Sequence, residues 1–180
     1  MIARETAPAH QVIDTLQPSI RSLDPSADVD LVAAFYRDAP DYWLLVEGGP
    51  PGRKKAESFF TDGPPGCDPA RSYRLGLFLE GRLSGLAELS FGFPEQDDAY
   101  LGLMILGTWA RGNGRGKQFL THVEGLARSR GSAHMFLAVI EANPKARAFW
   151  EREGFSPTGF SAEMRVGLHD HRVHRLVKPL

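Results

Sequence analysis

The sequence of 180 residues predicts a single mixed α/β domain. Segments with the period of strands alternate with segments with the period of amphipathic helices. Two of the strand segments are apolar on both faces, as the central strands of a sheet are. The chain shows no internal repeat and no second domain. We therefore expect residues 1–18, which have no strong period, to form an N-terminal extension, and residues 19–180 to form the domain.

The first predicted elements are a short strand and an amphipathic helix. The stretch SIRSLDP reads as a strand that is ended by Pro25. In ADVDLVAAFYRDAP, apolar side chains recur at the i, i+3, i+4 and i+7 positions from Val29 onward, and Pro40 ends the helix. Residues 48–72 hold two Pro-Pro-Gly turns around one short helical candidate, RKKAESFFTD. A long irregular segment of this kind is usually a binding loop or a mobile segment.

The second half of the chain predicts strands that alternate with helices. YRLGLFL and RLSGLAELSF form a hairpin around Glu80-Gly81, because glycine accepts a positive φ. AYLGLMIL and AHMFLAVI are the two strands that are apolar on both faces. The helix QFLTHVEGLARSRG follows the first of them and ends at Gly131. The helix in NPKARAFWEREGF follows the second and has Asn143 as its N-cap. Two final strands are joined near LHDH.

Composition and charge exclude several classes of function. The formal net charge is −1, whereas a dedicated nucleic-acid binder carries a basic surplus, so we expect no nucleic-acid partner. No uncharged apolar run approaches the ~20 residues that span a bilayer, and the N-terminus lacks the apolar region of a secretory signal. Cys67 is the single cysteine, which excludes an intrachain disulfide and a cysteine-based metal site. We expect a soluble, cytoplasmic protein without a membrane partner.

The loop RGNGRGK, residues 111–117, has the composition of an anion-binding site. Its three glycines and three basic residues precede a predicted helix, so backbone N–H groups and the positive end of the helix can converge on an oxyanion. The P-loop pattern fails, because Arg111 stands at its first glycine and Gln118 at its hydroxyl position. The dinucleotide pattern fails at its last glycine. R-x-x-G-x-G, from Arg111 to Gly116, fits and suits a pyrophosphate.

Two stretches resemble the GCN5-related N-acetyltransferase (GNAT) family. LMILGTWARGNGRGKQFL is similar to the family's acyl-coenzyme A pyrophosphate motif. LAVIEANPKARAFWEREGF looks like its second motif, which is a strand, an asparagine and a short helix that ends in Gly-Phe. The order of elements also matches, over roughly residues 19–178. The resemblance implies a central mixed sheet flanked by helices, in which parallel strands 4 and 5, near 99–106 and 134–140, splay apart at one end.

The resemblance also implies that acetyl-coenzyme A is the cofactor. Its pantetheine arm is expected to lie in the notch between the splayed strands, where it pairs with strand backbone and with Asn143. The basic side chains of the glycine loop are expected to add charge-assisted contacts to the pyrophosphate. The residues expected to bind the cofactor are Leu106, Gly107, Thr108, Arg111, Gly112, Asn113, Gly114, Arg115, Gly116, Lys117, Asn143 and Trp150.

The resemblance implies a direct transfer of the acetyl group to an amine, without a covalent enzyme intermediate. An alkylammonium has a pKa of roughly 10, so the amine must lose a proton before it attacks. Family members commonly protonate the leaving thiolate with a tyrosine, but here Trp150 holds that position and carries no acidic proton. Either another group donates the proton or the thiolate leaves unassisted. Tyr100 and Glu88 are the candidate catalytic residues, with Asp97, Asp98 or a water relay as alternatives.

Four aromatic residues around the Pro/Gly-rich segment have two interpretations. Tyr42, Trp43, Phe59 and Phe60 are expected either to form the acceptor pocket or to pack in the core.

The histidines and the cysteine favour structural roles. His169, His171 and His174 fit a turn and an edge strand better than a metal site, so we expect no bound metal. Cys67 has no neighbour in the sequence that would activate its thiol.

The sequence therefore predicts an acyl-coenzyme A-dependent N-acetyltransferase that acts on a primary amine. A small molecule is favoured as the acceptor, because aromatic residues and Pro-Pro-Gly turns indicate a partly closed pocket. The alternatives are a protein N-terminus or lysine as the acceptor, or a non-catalytic acyl-coenzyme A-binding module that acts as a sensor or through an interface. A more distant alternative is a phosphate or nucleotide binder unrelated to acyl transfer, and the failed P-loop and dinucleotide patterns count against it. The oligomeric state is open, and a homodimer paired through the C-terminal strands is one alternative.

Overall fold

A computed structural model describes residues 17–180 of the chain, so the predicted extension lies almost entirely outside the described residues. In this part of the chain, no helix is long and apolar enough to cross a membrane. The helices and strands, in chain order, are β1 (Ser19–Ser22), α1 (Val29–Asp38), α2 (Asp41–Glu47), α3 (Arg53–Thr61), β2 (Tyr73–Leu79), β3 (Arg82–Phe91), β4 (Asp98–Leu106), α4 (Arg115–Ser129), β5 (His134–Ile140), α5 (Pro144–Arg152), β6 (Ser156–Val166) and β7 (His169–Pro179).

The seven strands form one mixed sheet, and its two central strands separate along their length. The strand order is β1-β2-β3-β4-β5-β7-β6, and β4 and β5 form the parallel pair. Their pairing is limited to residues 98–100 of β4 and 134–136 of β5. Beyond those residues β4 pairs only with β3, and β5 only with β7. This separation confirms the predicted fold class and the splayed notch.

Each face of the sheet carries its own core. On one face, α4 and α5 bury residues such as Phe119, Val123 and Trp150 against strand residues that include Leu89 and Leu137. On the other face, the segment α1–α3 buries an aromatic cluster against β3 and β4. Alternation of side chains along each strand supplies apolar residues to both faces, which explains why the central strands are apolar throughout.

Helix α2 was not predicted, because its stabilising contacts come from the other end of the chain. Pro40 forms its N-cap, and its last carbonyls meet the hairpin formed by β6 and β7. The Leu168 N–H donates to the Glu47 carbonyl at 2.9 Å, and the His171 Nε2–H donates to the Val46 carbonyl at 2.7 Å. Carbonyls at a helix end need partners, and here the partners are more than one hundred residues away.

Candidate functional site

The glycine loop bends through three consecutive residues with positive φ. Gly112 has φ 89°, Asn113 has φ 50° and Gly114 has φ 72°, and α4 begins at the next residue, Arg115. Side chains with a Cβ rarely adopt this region, so the two glycines permit the turn. A Cβ added to Gly112 or Gly114 would meet nothing within 4 Å. The inside of the turn therefore faces open space and not the protein.

This turn leaves a cluster of backbone donors without acceptors. Among residues 17–180, no acceptor is found for the N–H groups of Gly112, Asn113, Gly114, Gly116 and Lys117. The loop and the first turn of the 15-residue helix α4 therefore present five donors where the helix dipole is positive. Such an arrangement binds phosphate-type anions.

The three basic side chains of the loop divide into two groups. Arg115 and Lys117 have no carboxylate partner among the described residues, so both are available to an anion. Arg111 folds back instead, and its guanidinium donates to the Leu106 carbonyl at 2.9 and 3.1 Å and to Asp41 Oδ2 at 2.5 Å. Arg111 thus links the loop to α2, and its predicted contact with a pyrophosphate stays a prediction.

The remaining residues predicted to hold the cofactor have mixed surroundings. A Cβ at Gly116 would lie 3.2 Å from the Phe149 ring, so this glycine serves the packing of α4 against α5. A Cβ at Gly107 would similarly overlap Trp109, in the short 3-10 turn that contains Thr108. The Asn143 side-chain oxygen accepts from the Ala146 N–H at 3.1 Å, which confirms the N-cap and leaves the amide N–H groups available.

Trp150 lies in the core and does not line the cavity described below. Its side chain is 8% exposed, and its ring centroid lies 4.9 Å from that of Phe149 and 5.5 Å from that of Phe155. These contacts account for the tryptophan as a packing residue. The aromatic contacts do not support the predicted contact of Trp150 with the cofactor, which stays a prediction.

A cavity of about 540 Å³ lies on the sheet face covered by α1–α3. Leu103 of β4 and Ala138 of β5, both beyond the paired part of these strands, line it, so it borders the notch. Of the predicted acceptor residues, Tyr42, Trp43 and Phe59 line the cavity. Phe60 does not, and it packs in the adjacent core with its ring 5.1 Å from that of Phe59.

Glu88 is the buried carboxylate of this cavity, and its position depends on a bulge in β4. Glu88 pairs with Leu103 and Leu89 pairs with Leu101, so Gly102 is the extra residue of β4. A Cβ at Gly102 would overlap Glu88 Oε2, which shows that the absent side chain makes room for the carboxylate.

Polar contacts orient the Glu88 carboxylate. Arg74 Nη1 donates to Glu88 Oε1 at 2.7 Å, and the Ser90 hydroxyl donates to the same oxygen. Burial raises the pKa of Glu88, against the opposing effects of Ser90, Arg74 and the Gly102 backbone. A carboxylate that is fixed in orientation and has a raised pKa is suited to accept a proton.

Tyr100 lies in the same cavity, so both predicted catalytic residues face one space. Burial raises the pKa of its phenol, while the nearby Arg175 charge acts in the opposite direction. The phenol is therefore a neutral O–H at physiological pH. The same holds for Tyr42, whose pKa burial and Glu47 raise to about 12.

Of the alternative candidates for proton transfer, Asp98 has a structural role. Asp98 is buried at the start of β4, accepts from the Glu95 N–H at 3.3 Å and contacts His134 Nδ1 at 3.1 Å. Asp97 does not line the cavity. Burial raises the pKa of the Cys67 thiol, which lowers its thiolate fraction.

The three histidines form no cluster that holds a metal among the described residues. His171 is 6% exposed and binds the Val46 carbonyl, as described above, and His169 Nδ1 contacts the Leu45 carbonyl at 3.2 Å. His174 lies farther along β7, 4.0 Å from Glu141. The predicted edge strand is wrong, because β7 pairs with β5 on one side and with β6 on the other. Two of the histidines therefore serve to hold α2 against the C-terminal hairpin.

Three further segments, β6, β7 and the residues before β4, contribute cavity residues that were not predicted from the sequence. Arg175 lines the cavity, and its guanidinium carbon lies 5.1 Å from the Phe93 ring centroid and 4.3 Å from that of Phe160. No local motif marks these residues. The sequence signal that could have predicted them is the alternation along the two strands, which places Phe160, Val173 and Arg175 on one face of the hairpin.

A notch between splayed parallel strands, with a glycine loop that leaves backbone N–H groups unpaired at the mouth of the following helix, defines an acetyltransferase-type fold. The family model described as "Acetyltransferase (GNAT) family" matches residues 32–155, and the chain belongs to this family. The resemblance drawn from the two sequence motifs is thereby confirmed.

Known proteins agree with this assignment. A streptothricin acetyltransferase from Streptomyces lavendulae is 27% identical over 150 residues, which are 83% of this chain and 70% of that protein. An acetyltransferase from Thermus thermophilus has a TM-score of 0.69 at 25% identity, covering 92% of this chain and 99% of its own. The ribosomal-protein-S18-alanine N-acetyltransferase from Escherichia coli shares the fold, with a TM-score of 0.66 at 20% identity over 91% of this chain and 94% of its own.

Proposed function

We propose that the protein is an acetyl-coenzyme A-dependent N-acetyltransferase whose acceptor is the primary amine of a small molecule. The observation that carries the proposal is the position of the cavity. It borders the notch between β4 and β5, and it contains a buried carboxylate, Glu88, between aromatic walls. An acceptor bound there lies beside the expected path of the acyl donor.

The residues of the glycine loop fit the pyrophosphate of coenzyme A. The five N–H groups without acceptors, the open space beside Gly112 and Gly114, and the cations of Arg115 and Lys117 all favour a multiply charged anion. The amide N–H groups of Asn143 are available for the pantetheine arm. When bound, acetyl-coenzyme A supplies a thioester as the source of the acetyl group.

The role proposed for Glu88 is that of general base. An alkylammonium with a pKa of roughly 10 is protonated at neutral pH, so a proton acceptor near the amine raises the fraction able to attack. Glu88 Oε1 is held by Arg74 and Ser90, and Oε2 lies over Gly102 at the bulge. The raised pKa of Glu88 makes it a stronger base than an exposed carboxylate.

The role proposed for Tyr100 is that of a hydrogen-bond donor in the same cavity. Its phenol stays neutral because burial raises its pKa, so it offers an O–H to the acceptor or to the departing sulfur. Trp150 offers no equivalent proton, since its N–H is not acidic and the ring is buried.

Two observations favour a small molecule over a protein as acceptor. The cavity is bounded by α2 and α3 on one side and by the β6–β7 hairpin on the other, and the hydrogen bonds from Leu168 and His171 hold these walls together. The streptothricin acetyltransferase, which covers 83% of this chain, is named for a small-molecule acceptor.

The test is the release of free thiol from acetyl-coenzyme A across a panel of amines. The panel contains streptothricin, diamines, amino acids and peptides with a free N-terminus or lysine. We expect turnover with small amines and a large loss of kcat in E88Q. Turnover with peptides alone would show that the acceptor is a protein and not a small molecule. Coenzyme A binding without turnover on any amine would favour the sensor, and absence of thermal stabilisation by coenzyme A would refute the proposal.

A further inference from the structure

The charged groups of the cavity are unevenly paired. The Lys55 ammonium contacts Glu47, and Arg74 contacts Glu88 at 2.7 Å, so these charges are compensated within the protein. Arg175 differs, because no carboxylate in the described part of the chain lies within ion-pair distance of its guanidinium. Of the two cations that line the cavity, Lys55 and Arg175, only Arg175 has no ion-pair partner in the described part of the chain. The exposed Asp62 also lines the cavity, and its carboxylate forms no ion pair there either.

The surroundings of Arg175 hold the guanidinium in place without satisfying its hydrogen bonds. The side chain is half-buried between the Phe93 and Phe160 rings. The attraction between a cation and a ring face orients the group but uses none of its five N–H donors as conventional hydrogen bonds. Within residues 17–180, no oxygen accepts from the Arg175 side chain.

Arg172 provides a contrast on the same strand. Its Nε donates to Glu163 Oε1 at 2.8 Å on the exposed face of the hairpin. The two arginines are three residues apart, so they project from opposite faces of β7. The outward arginine has a protein partner, and the arginine that faces the cavity has none.

The sheet places Arg175 opposite Glu88 in the cavity. Glu88 of β3 pairs with Leu103 of β4, and Arg175 of β7 pairs with Ala138 of β5, and all four residues line the cavity. Two of the three intervening spacings are those of paired strands, about 4.8 Å each, and the third is the opened gap between β4 and β5, so the two residues stand well apart across the sheet. The carboxylate and the guanidinium thus approach a bound molecule from different sides.

We propose that Arg175 binds an anionic group on the acceptor, so that the acceptor class is amino carboxylic acids. This inference rests on the proposed function, because it takes the cavity to be the acceptor site. The amine of the acceptor faces Glu88, and its carboxylate accepts two parallel N–H bonds from the planar guanidinium, the geometry that arginine provides and lysine does not.

The test compares primary amines that differ only in the carboxylate. L-Lysine is measured against cadaverine, L-phenylalanine against 2-phenylethylamine, and 6-aminohexanoate against pentylamine, with thiol release from acetyl-coenzyme A as the readout. We expect a preference in kcat/KM of about 10- to 100-fold for the carboxylate member of at least one pair, expressed mainly in KM, as loss of a charge-assisted hydrogen bond gives.

The variant R175M keeps an unbranched apolar side chain between the two aromatic rings and removes the charge. We expect it to abolish the preference between the members of each pair, and R175K to restore only part of it. The control is R172M, on the outer face of the same strand, which should retain the full preference. Thermal unfolding of each variant establishes that the fold is intact.

Two results overturn the inference. One is a wild-type enzyme that turns over amines but shows no preference for any carboxylate member, which leaves the proposed function standing. The other is a preference that R175M retains. If no amine is turned over, calorimetric titration with 6-aminohexanoate and L-phenylalanine decides the matter. Binding that R175M loses supports the inference, and binding that is absent or equal in both proteins refutes it.

Discussion

The glycine loop, residues 111–117, leads to a sharp prediction for the substitution of Gly114 by alanine. Gly114 has φ 72°, and an added Cβ would meet no protein atom within 4 Å. The variant therefore suffers backbone strain but no clash with the protein. The left-handed conformation costs an L-residue roughly 1–2 kcal/mol, and we expect G114A to lose about that much free energy of unfolding. In a chain of this length the loss corresponds to about 2–8 °C in Tm.

The chain contains a matched control at the other end of the same helix. Gly131 has φ 79°, and a Cβ there would also meet nothing within 4 Å. G131A therefore carries the same strain without approaching the loop. If the N–H groups of residues 112–117 hold a pyrophosphate, only the Gly114 Cβ obstructs the anion. Loss of one charge-assisted contact, about 1.5–3 kcal/mol, weakens binding by at least about 10-fold.

The assay is calorimetric titration of wild type, G114A and G131A with coenzyme A, together with thermal unfolding of each. We expect similar losses of stability in the two variants and a weaker Kd only in G114A. Equal Kd values in all three proteins would falsify the assignment of the loop. An equal loss of affinity in G131A would show that the effect comes from stability and not from the loop.

Three further predictions concern the cavity, the core and the α2 contact. E88Q should lower kcat by about 10²–10⁴. In the pH profile of kcat/KM, the raised pKa of Glu88 places the acidic limb of the wild-type enzyme above the ordinary carboxyl range, and activity is lost as the pH falls through that pKa. E88Q should lack this acidic limb. W150F should lose about 1–3 kcal/mol of free energy of unfolding, measured with denaturant, and the shape of its pH–rate profile should stay unchanged. Loss of the acidic or basic limb of that profile would contradict the assignment of Trp150 as a packing residue. H171A should lose about 1–3 kcal/mol of free energy of unfolding, because the Val46 carbonyl is left without its donor. The Kd for coenzyme A, measured by calorimetry, should stay unchanged. An unchanged Tm would contradict the contact.

The order of elements could be predicted because its signals are local. The hairpin at Glu80-Gly81, the N-cap at Asn143 and the helix RKKAESFFTD are each encoded within a few residues, and the structure confirms them. The glycine loop is also local, since three consecutive positive φ values need glycine or asparagine at those positions. Family membership followed from two such local motifs in the correct order.

At two positions of the glycine-loop motif, the residue matches the motif, but only the tertiary contacts show what its side chain, or the lack of one, does. Gly116 belongs to the motif, yet its missing side chain gives space to the Phe149 ring from the next helix. Arg111 also belongs to the motif, yet its guanidinium binds the Leu106 carbonyl and Asp41 of α2. Spacing along the chain predicts which residues enter a turn, but it does not predict which distant groups they meet.

The sequence by itself determined the class of the sheet, the glycine loop and the cap of the last helix, because backbone preferences and periodicity act over one or two turns of chain. The tertiary structure decided the cavity. Strand β7 brings Arg175 between Phe93 and Phe160, and the bulge at Gly102 opens space for Glu88. These neighbours come from segments far apart in the chain, and strand pairing and burial bring them together, so no local pattern contains them.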